Sequence, residues 1–433
     1  FEVFDTDRNM NLQNWYTKNE DGSFSEWDQN PYWIKNRVTN KSKRYRALAS
    51  ISANIKATDW LSIQARGNVD YVSDKFDNKM YASTAANIAG KNDETGLPNG
   101  RYVWSDEQNF QVYGDFMAMF NKTFGDFSIN AALGTSINVS KANSLMIDSK
   151  TASLYRPNVF TVSNIIFSSK GFINQTIDAK RTIQSLFGTA QVGWKDALYL
   201  DVTARNDWSS ALAFTESCSF FYPSFGGSVL LNKFVDMGKN IDLFKFRASY
   251  SIVGNDVPVF MSNLLYSLGS QGAITPPDKA PFRTLKPEKT HSLEIGFDGT
   301  FLQNRLNINL TYYKTNTKNQ FFSVAAPYES GLRNRYVNAG NVENKGFEFN
   351  IGWYEQFTDN FSWSTNLNFS YNDNKIKELV DDLPNGLTLT DFGGAKVILK
   401  EGGHYGDLYV RHLMRDENGK PLQNEKGEPI VSG

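Results

Sequence analysis

Ser292-Leu-Glu-Ile-Gly-Phe-Asp-Gly-Thr300 and Arg305-Leu-Asn-Ile-Asn-Leu-Thr-Tyr-Tyr-Lys-Thr315 decide the fold. Leu293, Ile295 and Phe297 alternate with Ser292, Glu294, Gly296 and Asp298. After a four-residue turn, Leu306, Ile308, Leu310 and Tyr312 alternate with Asn307, Asn309 and Thr311. Successive strand side chains face opposite sides of a sheet, so each segment has one apolar and one polar side. A strand of about 11 residues rises about 36 Å and, tilted about 40°, spans about 28 Å. That is close to the roughly 25 Å apolar band of a transmembrane β-barrel.

The same rhythm gives twelve segments of 9 to 13 residues. The others pair as Lys43–Ile55 with Leu61–Ser73, Phe110–Lys122 with Phe127–Val139, and Ile183–Trp194 with Ala197–Asp207. Phe220–Leu231 with Leu243–Val253, and Lys345–Glu355 with Phe361–Tyr371, complete the set. Four long loops separate them: Asp74–Asn109, Ser140–Thr182, Gly254–His291 and Asn316–Asn344. Pro258, Pro276, Pro277, Pro281 and Pro287 keep the third from being strand throughout. Structureless loops above about 12–15 residues are uncommon in soluble domains. In outer-membrane barrels, short periplasmic turns and long extracellular loops are the rule. Lys56–Trp60, Thr123–Asp126, Lys195–Asp196, Leu302–Asn304 and Gln356–Asn360 therefore belong at the periplasmic rim. Trp60, Phe124, Phe127, Trp194 and Phe361 gather there as an aromatic girdle, with Tyr71, Tyr312 and Tyr371 at the opposite ends. Residues 372–433 read as a loop-rich continuation, with a further strand at Ala395–Lys400 or Asp407–Arg411.

Composition agrees. Aromatic residues make up 14 %, and the net charge of −1 gives no basic field for nucleic acid. No run of 18 apolar residues marks a membrane helix, and Cys218 alone cannot form an internal disulfide. The chain opens on Phe-Glu-Val-Phe without a signal peptide and reads as an internal piece of a longer protein.

Four patches carry a family resemblance. Leu285-Lys-Pro-Glu-Lys-Thr-His-Ser-Leu-Glu-Ile-Gly-Phe297 and Asn338-Ala-Gly-Asn-Val-Glu-Asn-Lys-Gly-Phe-Glu-Phe349 resemble two stretches of TonB-dependent transporters. With Ala204-Arg-Asn-Asp-Trp-Ser-Ser210 and Phe221-Tyr-Pro-Ser224, the pattern is similar to the SusC/RagA branch, from about Lys43 to Tyr371. The motif positions singled out are Asp207, Trp208, Pro287, Glu288, Glu294, Asn338, Gly340 and Gly346. The resemblance implies an all-β transmembrane antiparallel barrel of about 22 strands, of which about twelve are present. It also implies active import of oligosaccharides or peptides, a SusD-like surface lipoprotein as partner, and force from TonB acting on an N-terminal plug. The plug, the TonB box and the closing strands are not found here. On this reading residues 1–42 form a preceding extracellular loop region, 43–371 the barrel strands and 372–433 the continuation.

The residues themselves place function in the loops. Tyr102 and Trp104 fall in the first, Tyr155 in the second, and Phe321, Phe322, Tyr328, Arg333 and Arg335 in the fourth. Aromatic faces stack on sugars or clamp peptide side chains, and charges orient polar groups. The plainer reading is that these residues pack the loops on themselves or on the lipoprotein. Inward Arg205 and Asp201 read as structural pairing. Catalysis is poorly served: only His291, His404 and His412 exist, and His291 and Ser292 must face opposite sides of their strand. Asp416-Glu-Asn-Gly419 resembles half of a calcium loop but lacks its spacing, and reads as a polar turn. No cofactor or metal is implied. The competing function is a passive porin or structural barrel without TonB coupling, separable by whether uptake needs the proton gradient.

Overall fold

The computed structural model describes residues 31–84, 88, 99–150, 154–167, 172–213, 215, 217–263, 265–268, 272–281, 284, 286–379 and 386–431. Trp15, Tyr16 and Trp27, aromatic residues ahead of the first strand, lie outside them. A short helix, α1 (Pro31–Arg37), runs into β1 (Val38–Lys56). Then follow β2 (Leu61–Met80), β3 (Arg101–Phe124), β4 (Phe127–Asp148), β5 (Phe172–Trp194), β6 (Leu198–Ser209), β7 (Ser219–Leu230) and β8 (Ile241–Asn255). The two-residue strands β9 (Ser267–Leu268), β10 (Ile274–Thr275) and β11 (Lys279–Ala280) lie in the next connection. β12 (Glu288–Phe301), β13 (Leu306–Ala325), β14 (Asn334–Thr358) and β15 (Phe361–Glu378) complete the large sheet.

Twelve long strands are thus present where twelve alternating segments predict them. Each pairs antiparallel with its neighbours in the order β1 to β8, then β12 to β15, and β11 adds one short parallel pairing to β14. Within this sheet β1 pairs with β2 and β15 with β14, so the described residues form an open antiparallel meander. The registers stack apolar residues into rows on one side. Leu310 stands opposite Phe297 and Phe349, and Phe349 opposite Phe369. Ile51, Phe116, Leu133, Leu200, Phe225, Ile295, Trp363 and Leu367 are all exposed on that side. An uncovered apolar wall of this extent is what lipid, not water, solvates. Rings also gather at the short-turn end: Trp60 lies 5.4 Å from Phe120, Trp194 5.8 Å from Phe234, and Phe357 5.7 Å from Phe361.

The opposite side is polar and internally paired. Arg44 meets Asp74 and Arg46 meets Asp70, each at 2.6 Å, and Arg66 meets Asp115 at 3.0 Å. Gln64 donates to Asn54 at 2.6 Å, Gln191 to Asp201 at 2.7 Å, and Asn309 to Asp298. Cross-strand partners share a face, so each pair satisfies polar groups without a second layer. Among the described residues the packed cores are correspondingly small, four clusters, all at the end with the long connections.

The strands exceed the predicted lengths, reaching 25 residues in β14. The long connections shrink to residues 81–100, 149–171, 256–287 and 326–333. Ladder hydrogen bonds continue past the apolar band, where both faces are polar and alternation carries no signal. Tyr102, Trp104, Phe321, Phe322 and Arg335 therefore lie on strands, not in loops. Both candidate late strands exist, as β17 (Ala395–Leu399) and β18 (Leu408–Val410). They join β16 (Leu387–Asp391) in a separate three-stranded sheet.

At the β5–β6 turn, Lys195 and Asp196 have φ of 53° and 49°, a conformation L side chains resist. Asp196→Gly is expected to stabilise the protein by about 1 kcal/mol, read as a higher unfolding midpoint in detergent.

Candidate functional site

At the long-connection end, residues 256–287 and the β13–β14 connection enclose a cavity of about 650 Å³. Phe260, Met261, Asp278, Lys279, Arg333 and Tyr336 are among its lining residues. The β14 extension builds one wall. The Arg333 and Asn334 amides both donate to the Asp278 carbonyl at 3.0 Å, which sets β11 parallel to β14. Lys279 Nζ then donates to Tyr336 Oη at 3.1 Å and sits 5.2 Å over its ring. That hydrogen bond holds the Lys279 ammonium above the usual lysine range, so it is a fixed cation at neutral pH. Phe321 packs on Tyr336, with ring centroids 6.4 Å apart, against the core of Leu212, Phe220, Val257 and Met261. The mouth thus offers aromatic surface, two cations and a carboxylate around one hollow.

The predicted site residues divide. Arg333 lines this cavity, and Phe321 supports it from beneath. Tyr328, 95 % exposed, stands in the turn Tyr328–Ser330 between β13 and β14. Tyr155 is 66 % exposed in the connection after β4. Tyr102 is 7 % exposed and packs with Ile147, Leu154, Ile165 and Trp104. Its strand parity matches Phe110 and Val112, on the apolar side, and the segment after β4 folds over it. Phe322 packs beside Val342, Ile376 and Leu399. Arg335 sits opposite Ala280 in the β11–β14 pairing. Lys279, Asp278 and Tyr336 escaped sequence reading. The first two lie in a proline-rich stretch without periodicity, 57 positions separating Lys279 from Tyr336.

The motif residues hold the wall together. Arg205 donates to Asp207 at 2.8 Å and to Ser185 at 2.7 Å, and Tyr222 Oη donates to Asp207. Trp208, next along β6, is exposed on the apolar side. Asn338 clamps the connection before β12 and strand β13: its amide donates to the carbonyls of Lys286 at 2.9 Å and Asn319 at 2.8 Å, and it accepts from Lys286 N at 2.7 Å. Pro287 is buried beside this clamp, and Glu288 accepts from Asn255 at 3.3 Å. Glu294 stands opposite Tyr313 and Ser249 on the polar side. Gly340 has φ of 87°, and a Cβ there would press on the Glu378 carbonyl at 3.2 Å. His291 Nδ1 lies 2.8 Å from Tyr250 Oη on the side opposite Ser292. Asp416 Oδ1 accepts from the amides of Asn418 and Lys420, each at 2.9 Å, closing a turn on itself.

A meander with one wall for lipid, one of paired charges, short turns at one end and a folded mouth at the other is the barrel wall of an outer-membrane receptor. The family model described as TonB dependent receptor-like, beta-barrel, matches residues 1–398, and the chain belongs to that family. It is 25 % identical over 392 residues to TonB-dependent receptor P39 of Formosa agariphila, covering 88 % of this chain and 36 % of that protein. It is 28 % identical over 272 residues to TonB-dependent receptor SusC of Bacteroides thetaiotaomicron, covering 58 % and 27 %. The chain thus spans about a third of the length of these relatives. Among solved structures it is similar to the RagAB peptide importer in its closed-closed state, with TM-score 0.72 at 18 % identity over 95 % of this chain and 46 % of that one. The outer membrane transporter YddB of Escherichia coli gives 0.53 at 11 % identity over 78 % and 43 %. These two likenesses concern the fold. The SusC/RagA-type resemblance and the outer-membrane placement read from the motifs are borne out.

Proposed function

We propose that this barrel takes part in TonB-dependent import of oligosaccharides or peptides across the outer membrane, capped by a SusD-like lipoprotein. The mouth carries this reading: a hollow of about 650 Å³ with Tyr336, Lys279, Asp278 and Arg333 on its walls stands at the long-connection end of the sheet. Aromatic faces with convergent charges suit an extended polar ligand. The names of the relatives support it, one neighbour being a peptide importer and one relative SusC. The long strands from β1, starting at Val38, to β15, ending at Glu378, supply the spanning wall, and residues 386–431 continue beyond it. Arg333, Tyr328 and Tyr155 are the ligand or lipoprotein contacts among the predicted residues.

The test is uptake of labelled oligopeptides and oligosaccharides by cells carrying the full-length protein. Accumulation is expected to collapse with the proton gradient, whereas unchanged uptake would favour the passive porin. Tyr336→Ala with Arg333→Ala is expected to weaken ligand binding about tenfold or more, since each anchor contributes about 1 kcal/mol. Titration calorimetry on the purified full-length protein reads this directly.

A further inference from the structure

The apolar wall has an upper border, and it is cationic where β12 to β15 meet the mouth. Tyr312, Phe347 and Tyr371 form one cross-strand row on the lipid side. The next row on the same face is Lys314, Lys345 and Asp373, and the one above it Asn316, Glu343 and Lys375. Two residues along a strand tilted about 40° rise about 5 Å, so Lys314 stands one headgroup layer above the tyrosines. Here a groove of about 610 Å³ is lined by Tyr250, His291, Lys314, Lys318, Glu343 and Lys377, among others. Glu343, its side chain 6 % exposed, is bridged by Lys314 at 3.0 Å and Lys377 at 3.3 Å. One carboxylate thus holds two ammonium groups in place, and Lys318 has no carboxylate partner among the described residues.

We propose that this groove binds the phosphate of an anionic outer-leaflet lipid. The lower lining, Leu293 and Tyr250, continues the apolar wall, where acyl chains lie. The upper lining presents the three ammonium groups of Lys314, Lys318 and Lys377 against the two carboxylates of Glu343 and Glu378, a net positive end where a headgroup phosphate lies. A soluble anion would have no use for the apolar half. A second copy docked across a two-fold axis through this patch would set lysine against lysine. A phosphorylated amphiphile matches both halves, and each lysine near a charged lipid surface contributes several-fold in affinity.

The test uses the full-length protein in nanodiscs containing lipid A, or lipid A stripped of its phosphates, with retained lipid quantified by mass spectrometry. The expected result is preferential retention of the phosphorylated form. Lys314→Gln with Lys318→Gln is expected to reduce retention roughly 20-fold. Glu343→Gln, which frees two ammonium groups, is expected to raise it. Lysine exchange on the polar side, Lys245→Gln, is expected to leave it unchanged. Equal retention of both lipids, or undiminished retention by the double variant, would overturn the proposal. So would displacement by inorganic phosphate, which would mark a free-anion site, or a lysine-dependent dimer without change in lipid. The circular-dichroism spectrum of each variant separates loss of binding from loss of fold.

Discussion

Gly346→Val is expected to remove most folded protein from the outer membrane. Gly346 lies between Tyr313 on β13 and Asn372 on β15. The Tyr313 side chain crosses it, and Tyr313 Oη donates to Asn372 Oδ1 at 3.0 Å. A Cβ at Gly346 would meet the Tyr371 backbone carbonyl and the Tyr313 ring, so both a strand and a ring must move. Overpacking of this kind costs about 1–3 kcal/mol, and the lost hydrogen bond about 1 more. Tyr313→Phe removes only the hydrogen bond and is expected to cost about 1 kcal/mol. Heat-modifiable mobility of outer-membrane fractions measures both. Normal folding of the valine variant would show that the glycine has no steric role.

Asp207→Ala is expected to cost about 3 kcal/mol. Asp207 is 7 % exposed and is the shared acceptor of Arg205 and Tyr222. Its removal leaves a half-buried guanidinium held only by the neutral hydroxyls of Ser185 and Tyr222 among its described hydrogen bonds. Tyr222→Phe leaves that ion pair and is expected to cost about 1 kcal/mol. Urea midpoints in detergent rank the two, and a double-mutant cycle is expected to show strong coupling.

The sequence shows the strands because alternation has a physical cause where one face meets lipid and the other a polar interior. That cause ends at the apolar band, and legibility ends with it. Tyr102 lies at the start of β3, at the opposite end from Phe124, in a stretch without alternation, and reads as a loop. Its parity, visible only once β3 is known to be continuous, turns it away from the interior. Asn338 and Gly346 are readable as motif positions, but the clamp and the ring crossing need distant partners. Lys279 and Tyr336 meet because two backbone amides of the β14 entry find the Asp278 carbonyl, a contact with no local signature.

We propose that the wall is oriented with its short turns in the periplasm and its mouth outside the cell. The direct measurement is labelling of single cysteines in intact cells with a membrane-impermeant maleimide, in a Cys218→Ser background because Cys218 is itself exposed. Tyr328→Cys, in the β13–β14 connection, is predicted to label without permeabilisation. Asp59→Cys, in the β1–β2 turn, is predicted to label only after it. Labelling of Asp59→Cys in intact cells, with Tyr328→Cys protected, would contradict that orientation.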